Sequence, residues 1–296
     1  MAESPSGEVD ADRVLSGQSG IVRGRRARLR ARTADALDDA VAAVGRQGAR
    51  IDAAVRERRA EDDPADVLVL GVYAPDHAAA MARSLVELRA SRRSLRVGLA
   101  ALADPVEALR GDTVLSGRAG HGKFENLNAL LERMPLAGVR WVLVVDDDIE
   151  LPRGFLDRFL EVAERLRFDL AQPALRHTSH AAWPHLRRAR GSIARQTRMV
   201  EIGPLTAFGP AAAAELLPFP ALKMGWGLDS HWAAVAAERG WRLGVVDATP
   251  IRHESRETAS AYDRTAAVEE LRRYLRGKPH LDRAEAARVL ERHRTL

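Results

Sequence analysis

Three consecutive carboxylates, Asp146, Asp147 and Asp148, follow the apolar run WVLVV, and Pro152 stops that run from continuing. Side chains alternate along an extended chain, so Asp146 and Asp148 share one face while Asp147 points to the other. Carboxylates this close repel one another unless protons or a cation compensate. A hard divalent ion with oxygen ligands, Mn2+ or Mg2+, suits such a pincer. A solvated acidic turn suits the triplet equally well, so its surroundings must decide. Three other residues stand at positions with chemical meaning. Asp229, in GWGLDSHW, lies where a helical pattern begins and suits either a general base or a helix cap. His253 follows the apolar run of RLGVVDATPI and suits either a metal ligand or a surface histidine. Trp226, between two glycines, suits either a stacking platform or core packing.

The elements that must hold these residues are readable from hydrophobic period. VLVLGVYAP, from Val67, reads as a buried strand, HAAAMARSLVELRAS as a helix and RVGLAALAD as a second strand. Strand, helix, strand over this length predicts a parallel α/β sheet. A helix follows from about Phe124 to Arg133, then the strand that ends in the acidic triplet, the helix GFLDRFLEVAERLR and the strand DLAQPAL. Between Arg176 and about Arg198 lies an Arg- and His-rich stretch that predicts a long loop, either a mobile lid or a solvated segment. The last third predicts a helix from GWGLDSHWAAVAAERG, a strand from WRLGVVDATPIRH and two charged C-terminal helices. Ahead of the sheet, residues 1–20 read as a flexible tail. Residues 21–64 read as a basic helical extension in which Leu37, Val41, Val44, Ile51 and Val55 recur at helical spacing. The main domain is expected over 65–275, with halves 65–150 and 151–275, and a C-terminal helix over 276–296.

With 296 residues, 46% of them hydrophobic, the chain can bury a sizeable core. It has no cysteine, which excludes disulfides, thiolate metal sites and a cysteine nucleophile and leaves carboxylates, histidines and hydroxyls to carry any chemistry. The net charge of +5 comes almost wholly from arginine, so Lys123, Lys223 and Lys278 stand out more than any single arginine. No apolar run is long enough to cross a bilayer and the start lacks the layout of a secretory signal, which makes the cytoplasm the expected compartment. Aromatic residues at 5% leave few platforms for nucleotide stacking, which argues against nucleic-acid binding. The basic face of residues 21–64 suits peripheral attraction to an anionic surface or a solvated helix face.

From Asp66 to about Ser255 the chain resembles GT-A fold glycosyltransferases, in particular those of the family 2 type. The resemblance rests on four motifs in order. They are a Gly-Lys element with nearby asparagines (GHGKFENLN), the acidic triplet, a Gly-rich stretch with an acid at a helix start (GWGLDSHW), and a histidine after a strand. It implies a Rossmann-like mixed sheet flanked by helices and transfer of a hexose from a nucleoside diphosphate-sugar, UDP-sugars favoured, to an acceptor hydroxyl. It also implies Mn2+ or Mg2+ on Asp146, Asp148 and His253, and donor contacts from Lys123, Asn126, Asp146 and Asp147. Tyr73 and Asp104 stand where these enzymes hold the nucleotide base and ribose. Gly225 and Trp226 stand where they meet the acceptor. Asp229 would be the catalytic base, giving single displacement with inversion, although the usual Glu-Asp pair is here Leu228-Asp229. Two other readings remain. GRAGHGKF from Gly117 fits G-x-x-x-x-G-K of P-loop nucleotide hydrolases and kinases, but Phe124 stands where that loop needs a hydroxyl. A binding module of the same architecture without turnover is the other.

Overall fold

The computed structural model describes residues 9–17, 20, 22–48, 66–253 and 263–296. Two helices, α1 (Ala11–Val14) and α2 (Arg25–Gly48), precede the sheet. The first half of the sheet comprises β1 (Val67–Tyr73), α3 (Ala78–Arg89), β2 (Leu95–Ala101), β3 (Thr113–Leu115), α4 (Lys123–Leu131), β4 (Trp141–Val145) and β5 (Ile149–Glu150). It is followed by α5 (Phe155–Arg165), β6 (Leu170–Leu175), β7 (Ala194–Thr197), β8 (Leu205–Phe208), α6 (Pro210–Leu216) and α7 (Leu228–Arg239). The chain ends with β9 (Leu243–His253), α8 (Arg264–Leu275), α9 (Arg283–Ala286) and β10 (Val289–His293).

The strands form a mixed sheet in the order β10-β7-β9-β6-β8-β4-β1-β2-β3. β1 is parallel to both β2 and β4, and β8 lies antiparallel between β4 and β6. Because the chain leaves β1 towards β2 and later returns to its other side as β4, the strand order reverses between β1 and β4. Ligands of open α/β sheets bind in the crevice at such a reversal, outside the carboxyl ends of the strands. The alternation within β1 sorts the core: Leu68 and Leu70 pack with Phe124, Leu127, Trp232 and Leu271 on one face. Val67, Val69 and Tyr73 pack with Met81, Leu85, Leu88 and Phe159 on the other. Met81, Leu85 and Leu88 lie at i, i+4 and i+7, the period that selects a helix there. Truncating a fully buried ring such as Phe159 to alanine would cost about 3–5 kcal/mol.

Three sequence expectations change. Within the stretch read as a tail, Val9, Ala11 and Val14 are buried and α1 packs on α8, with Asp10 capping it by accepting the Asp12 N–H at 3.0 Å. One helical turn carries too few apolar residues to show a period. In place of a helix over 276–296, α9 is a single turn and β10 pairs antiparallel with β7, whose open backbone edge it satisfies. The stretch 176–198 is packed: Ser179, His180, Ala181, Trp183 and Leu186 are buried, and its end is β7. Of the basic extension, α2 is seen to Gly48; Ile51, Val55 and the rest of 49–64 lie outside the described residues.

Candidate active site

The ladder of β4 ends at Val145, and the three acids occupy the turn into β5. That short strand pairs antiparallel with the end of β9, Ile149 opposite His253, so the residue before Ile149 is brought beside the histidine. Asp148 Oδ1 lies 3.2 Å from His253 Nε2. Asp146 Oδ1 lies 2.5 Å from the Lys123 ammonium, the first residue of α4. Asp147 turns towards β1, where its Oδ2 accepts the Ala74 N–H at 2.8 Å and its Oδ1 lies 3.8 Å from His77 Nδ1. Burial pushes the Asp147 carboxyl up to about 6, the Ala74 N–H and His77 pull it back, and the charges of Asp146 and Asp148 add to the rise. Asp146, Asp148 and His253 each present a ligand atom, all within 4.8 Å of one another.

Burial alone would lower the His253 value, but the hydrogen bond and charge of Asp148, with the charges of Asp146 and Glu201, hold it above that of an ordinary histidine. The imidazole therefore sits in an excess of negative charge. Over the same acids runs the loop of residues 201–204, whose Pro204 carbonyl accepts the Asp146 N–H at 2.9 Å. Gly203 passes so close that a Cβ there would lie 2.9 Å from Asp146 Oδ2, so a side chain would displace the carboxylate.

A second pair of acids, Asp229 and Glu201, is coupled to the first group through the charge of Glu201. Asp229, in the first turn of α7, accepts the Ser230 N–H at 2.9 Å, yet burial dominates and pushes its carboxyl up to about 6. Helix position alone would lower it, so desolvation wins here. Burial and the charge of Asp229 push Glu201 up to about 8, with His253 and Lys123 pulling it part of the way back. Its backbone is fixed by two buried polar side chains, Gln172, which accepts its N–H, and Thr206, which donates to its carbonyl at 2.8 Å. Sequence reasoning passed over Glu201. The available signal was a lone acid among the apolar residues of MVEIGPL, immediately before a Gly-Pro step.

The loop that carries Trp226 to Asp229 is held from α8. Glu270, buried, accepts the backbone N–H groups of Lys223, Met224 and Gly225 at 2.8, 3.0 and 2.9 Å. Of the two residues expected at an acceptor, Gly225 is instead a packing position: at φ +75° its missing Cβ admits the Phe124 ring. Trp226 is partly buried against the core, with the Arg264 guanidinium 5.9 Å from its ring.

Among the residues expected at the donor, Lys123, Asp146 and Asp147 are brought together; three others are not. Tyr73 is buried and its hydroxyl is paired with Thr113 Oγ1 at 2.9 Å, because it falls on the inward face of β1. Asn126 is fully buried and holds the preceding loop, accepting from Arg118 Nε at 2.8 Å and donating to the His121 carbonyl at 3.3 Å. Asp104 is exposed in the turn after β2. The stretch from Arg176 to about Arg198, expected as either a mobile lid or a solvated loop, is tied down over 176–190: Asp35 of α2 accepts the backbone N–H groups of His177 and Thr178, and one Arg187 nitrogen donates to the carbonyls of residues 176, 177 and 179. Phe124, at the position decisive for the P-loop reading, is buried against Phe219 and offers no hydroxyl.

No protein-family model matches this chain, and no curated protein does. Many solved structures are similar in shape, among them the following two. One is the mannosyltransferase PcManGT from Pyrobaculum calidifontis in complex with GDP-Man and Mn2+, 20% identical, covering 73% of this chain and 65% of that one, at a TM-score of 0.45. The other is GalNAc-T7 with UDP, GalNAc and Mn2+, 13% identical, covering 89% of this chain and 58% of that one, at 0.49. The chain thus spans less than two thirds of the length of either.

Proposed function

We propose that this protein is a metal-dependent glycosyltransferase of the GT-A type, moving a hexose from a nucleoside diphosphate carrier to an acceptor hydroxyl. The observation that carries the reading is the convergence of Asp146, Asp148 and His253 within 4.8 Å at the strand-order reversal, with a separate acid, Asp229, coupled to that group through Glu201. Two carboxylates and an imidazole, surrounded by further negative charge that raises the histidine, form a donor set that fits a hard divalent ion. Those three residues would hold Mn2+ or Mg2+, whose charge would offset that of the departing diphosphate.

The chain's own groups supply the remainder. Lys123, already on Asp146, adds a positive charge beside the same acids. Asp229 would take the proton of the acceptor hydroxyl as its oxygen bonds to the anomeric carbon. The bond from that carbon to the diphosphate oxygen breaks, the electron pair leaves with the diphosphate, and configuration inverts. A carboxyl raised to about 6 remains ionised at neutral pH and is a stronger base than an ordinary aspartate.

The test is a screen of nucleoside diphosphate-sugars, uridine carriers first, for thermal stabilisation with and without Mn2+, repeated on Asp148→Ala. The reading expects one donor to raise the melting temperature only with metal and only in the unmutated chain, and product from that donor to carry inverted configuration. Stabilisation by nucleoside triphosphates with phosphate release and no sugar transfer would replace it with the hydrolase reading.

A further inference from the structure

Among the described residues, α2, the basic arm ahead of the sheet, contributes no side chain to the candidate active site, and its two halves are built differently. Along α2 the acids Asp35, Asp38 and Asp39, at i, i+3 and i+4, all turn inward onto the segment 176–190. Asp35 accepts from Thr178 Oγ1 at 2.8 Å, Asp38 pairs with His177 Nε2 at 3.0 Å and Arg190 Nε at 2.5 Å, and Asp39 pairs with Arg188 at 2.7 Å and with Arg176. With its acids engaged there, α2 has none to neutralise its first half. Residues 23–32 carry Arg23, Arg25, Arg26, Arg28, Arg30 and Arg32 and no acid, and among the described residues no carboxylate pairs with Arg25, Arg26, Arg30 or Arg32.

At 100° per residue, the face opposite Asp35 and Asp38 presents Leu29, Ala40, Thr33, Arg26 and Leu37, with Arg30 at its edge. Its large apolar members are exposed by 66% at Leu29 and 50% at Leu37. Arginines interleaved with exposed aliphatic residues match an interfacial helix, whose apolar side chains enter the headgroup boundary while guanidinium groups reach phosphates. The arm contains no aromatic residue between Arg23 and Val41, so it lacks the stacking surface by which single-stranded nucleic acid is held. We propose that the outward face of α2 is a docking surface for an anionic lipid bilayer, which would hold the protein at a membrane by its arm. This inference is independent of the glycosyltransferase reading.

The test is co-sedimentation of the full chain with vesicles of equal parts phosphatidylglycerol and phosphatidylcholine, against vesicles of phosphatidylcholine alone. The unmutated chain should pellet with the anionic vesicles only, and rising salt should release it. Arg26→Glu with Arg30→Glu should weaken partition at least about tenfold, and Leu29→Ser with Leu37→Ser at least about threefold. All four side chains are exposed, and unchanged circular dichroism would exclude unfolding as the cause. Equal partition of the unmutated and charge-reversed chains would overturn the proposal. So would retention on duplex DNA or single-stranded RNA at salt where vesicles release the chain, or a dimer in sedimentation velocity that Leu37→Ser dissolves.

Discussion

The acids of the site are held in two ways. Asp146 and Asp148 each face a positive or ionisable partner, Lys123 and His253, whereas Asp147, although it accepts the Ala74 N–H, is pushed up to about 6 by burial. Around Asp229 and Glu201 burial dominates, and the carboxyls rise to about 6 and about 8. A group compensated by positive charge is suited to holding anions against a cation. A group raised only to about 6, as Asp229 is, stays ionised at neutral pH and is suited to receiving a proton, whereas Glu201 at about 8 already holds one. On the proposed function, the difference would let one site separate neutralising a leaving anion from accepting the proton of an attacking hydroxyl.

The sharpest way to break this division is to remove one member of each set. Asp148→Ala should reduce transfer by roughly a thousandfold or more and abolish metal-dependent donor stabilisation, because charge compensation worth several kcal/mol disappears. Initial rates and thermal shifts at several Mn2+ concentrations would check it; transfer within tenfold of the unmutated chain would remove the first set from the chemistry. Asp229→Asn should lower transfer by about 10²–10⁴ while leaving donor stabilisation by metal intact. It should also raise stability at neutral pH. The folded carboxyl titrates near 6 against about 3.9 unfolded, so the stability its protonated form contributes is full below about 4 and lost as pH rises through about 6. An amide avoids that loss, a gain of at most about 3 kcal/mol well above pH 6 that should vanish below pH 4. The same sign makes the transfer rate fall about tenfold per pH unit below 6 and level off above it, a limb that Asp229→Asn should flatten.

How much of this was legible in the sequence follows from what a sequence pattern records. The strands of the first half were legible because both their faces are buried, so β1 and β4 are continuous apolar runs, and the acids after Val145 stood out by contrast. The partnership of Asp148 with His253 was open to motif order but not to spacing, since it depends on the pairing of two-residue β5 with the end of β9. Glu201 was not legible, because its environment comes from Gln172, Thr206 and Asp229 on separate elements. The segment 176–198 misled for a related reason. Its arginines look solvated until the acids of α2, some 140 residues away in the chain, and its own carbonyls are seen to receive them.

Smaller effects sharpen the comparison by separating residues that act on the cleft from residues that act through another. Glu270 holds three successive N–H groups of the loop that leads to Asp229, so Glu270→Gln keeps the shape and loses the charge of the acceptor. Hydrogen bonds to a charged group contribute about 1.5–3 kcal/mol. Loosening the loop should lower kcat about tenfold while the donor KM stays within about twofold, since the set that includes Lys123 and Asp148 is untouched. A fall in donor affinity with kcat preserved would instead assign Glu270 to the donor side.

Asn126 gives the smallest and most discriminating change. Its position beside Lys123 suggested a donor contact, whereas its side chain is fully buried and bridges Arg118 and the His121 carbonyl within its own loop. Removing it leaves that carbonyl without its partner, at a cost of about 1–2 kcal/mol in stability. Asn126→Ala should therefore lower the denaturation midpoint measurably and leave donor affinity within about twofold, because Lys123 stays on Asp146 at the first turn of α4. Donor affinity reduced tenfold with an unchanged midpoint would return Asn126 to the donor site and require the loop of residues 118–122 to open when the donor enters.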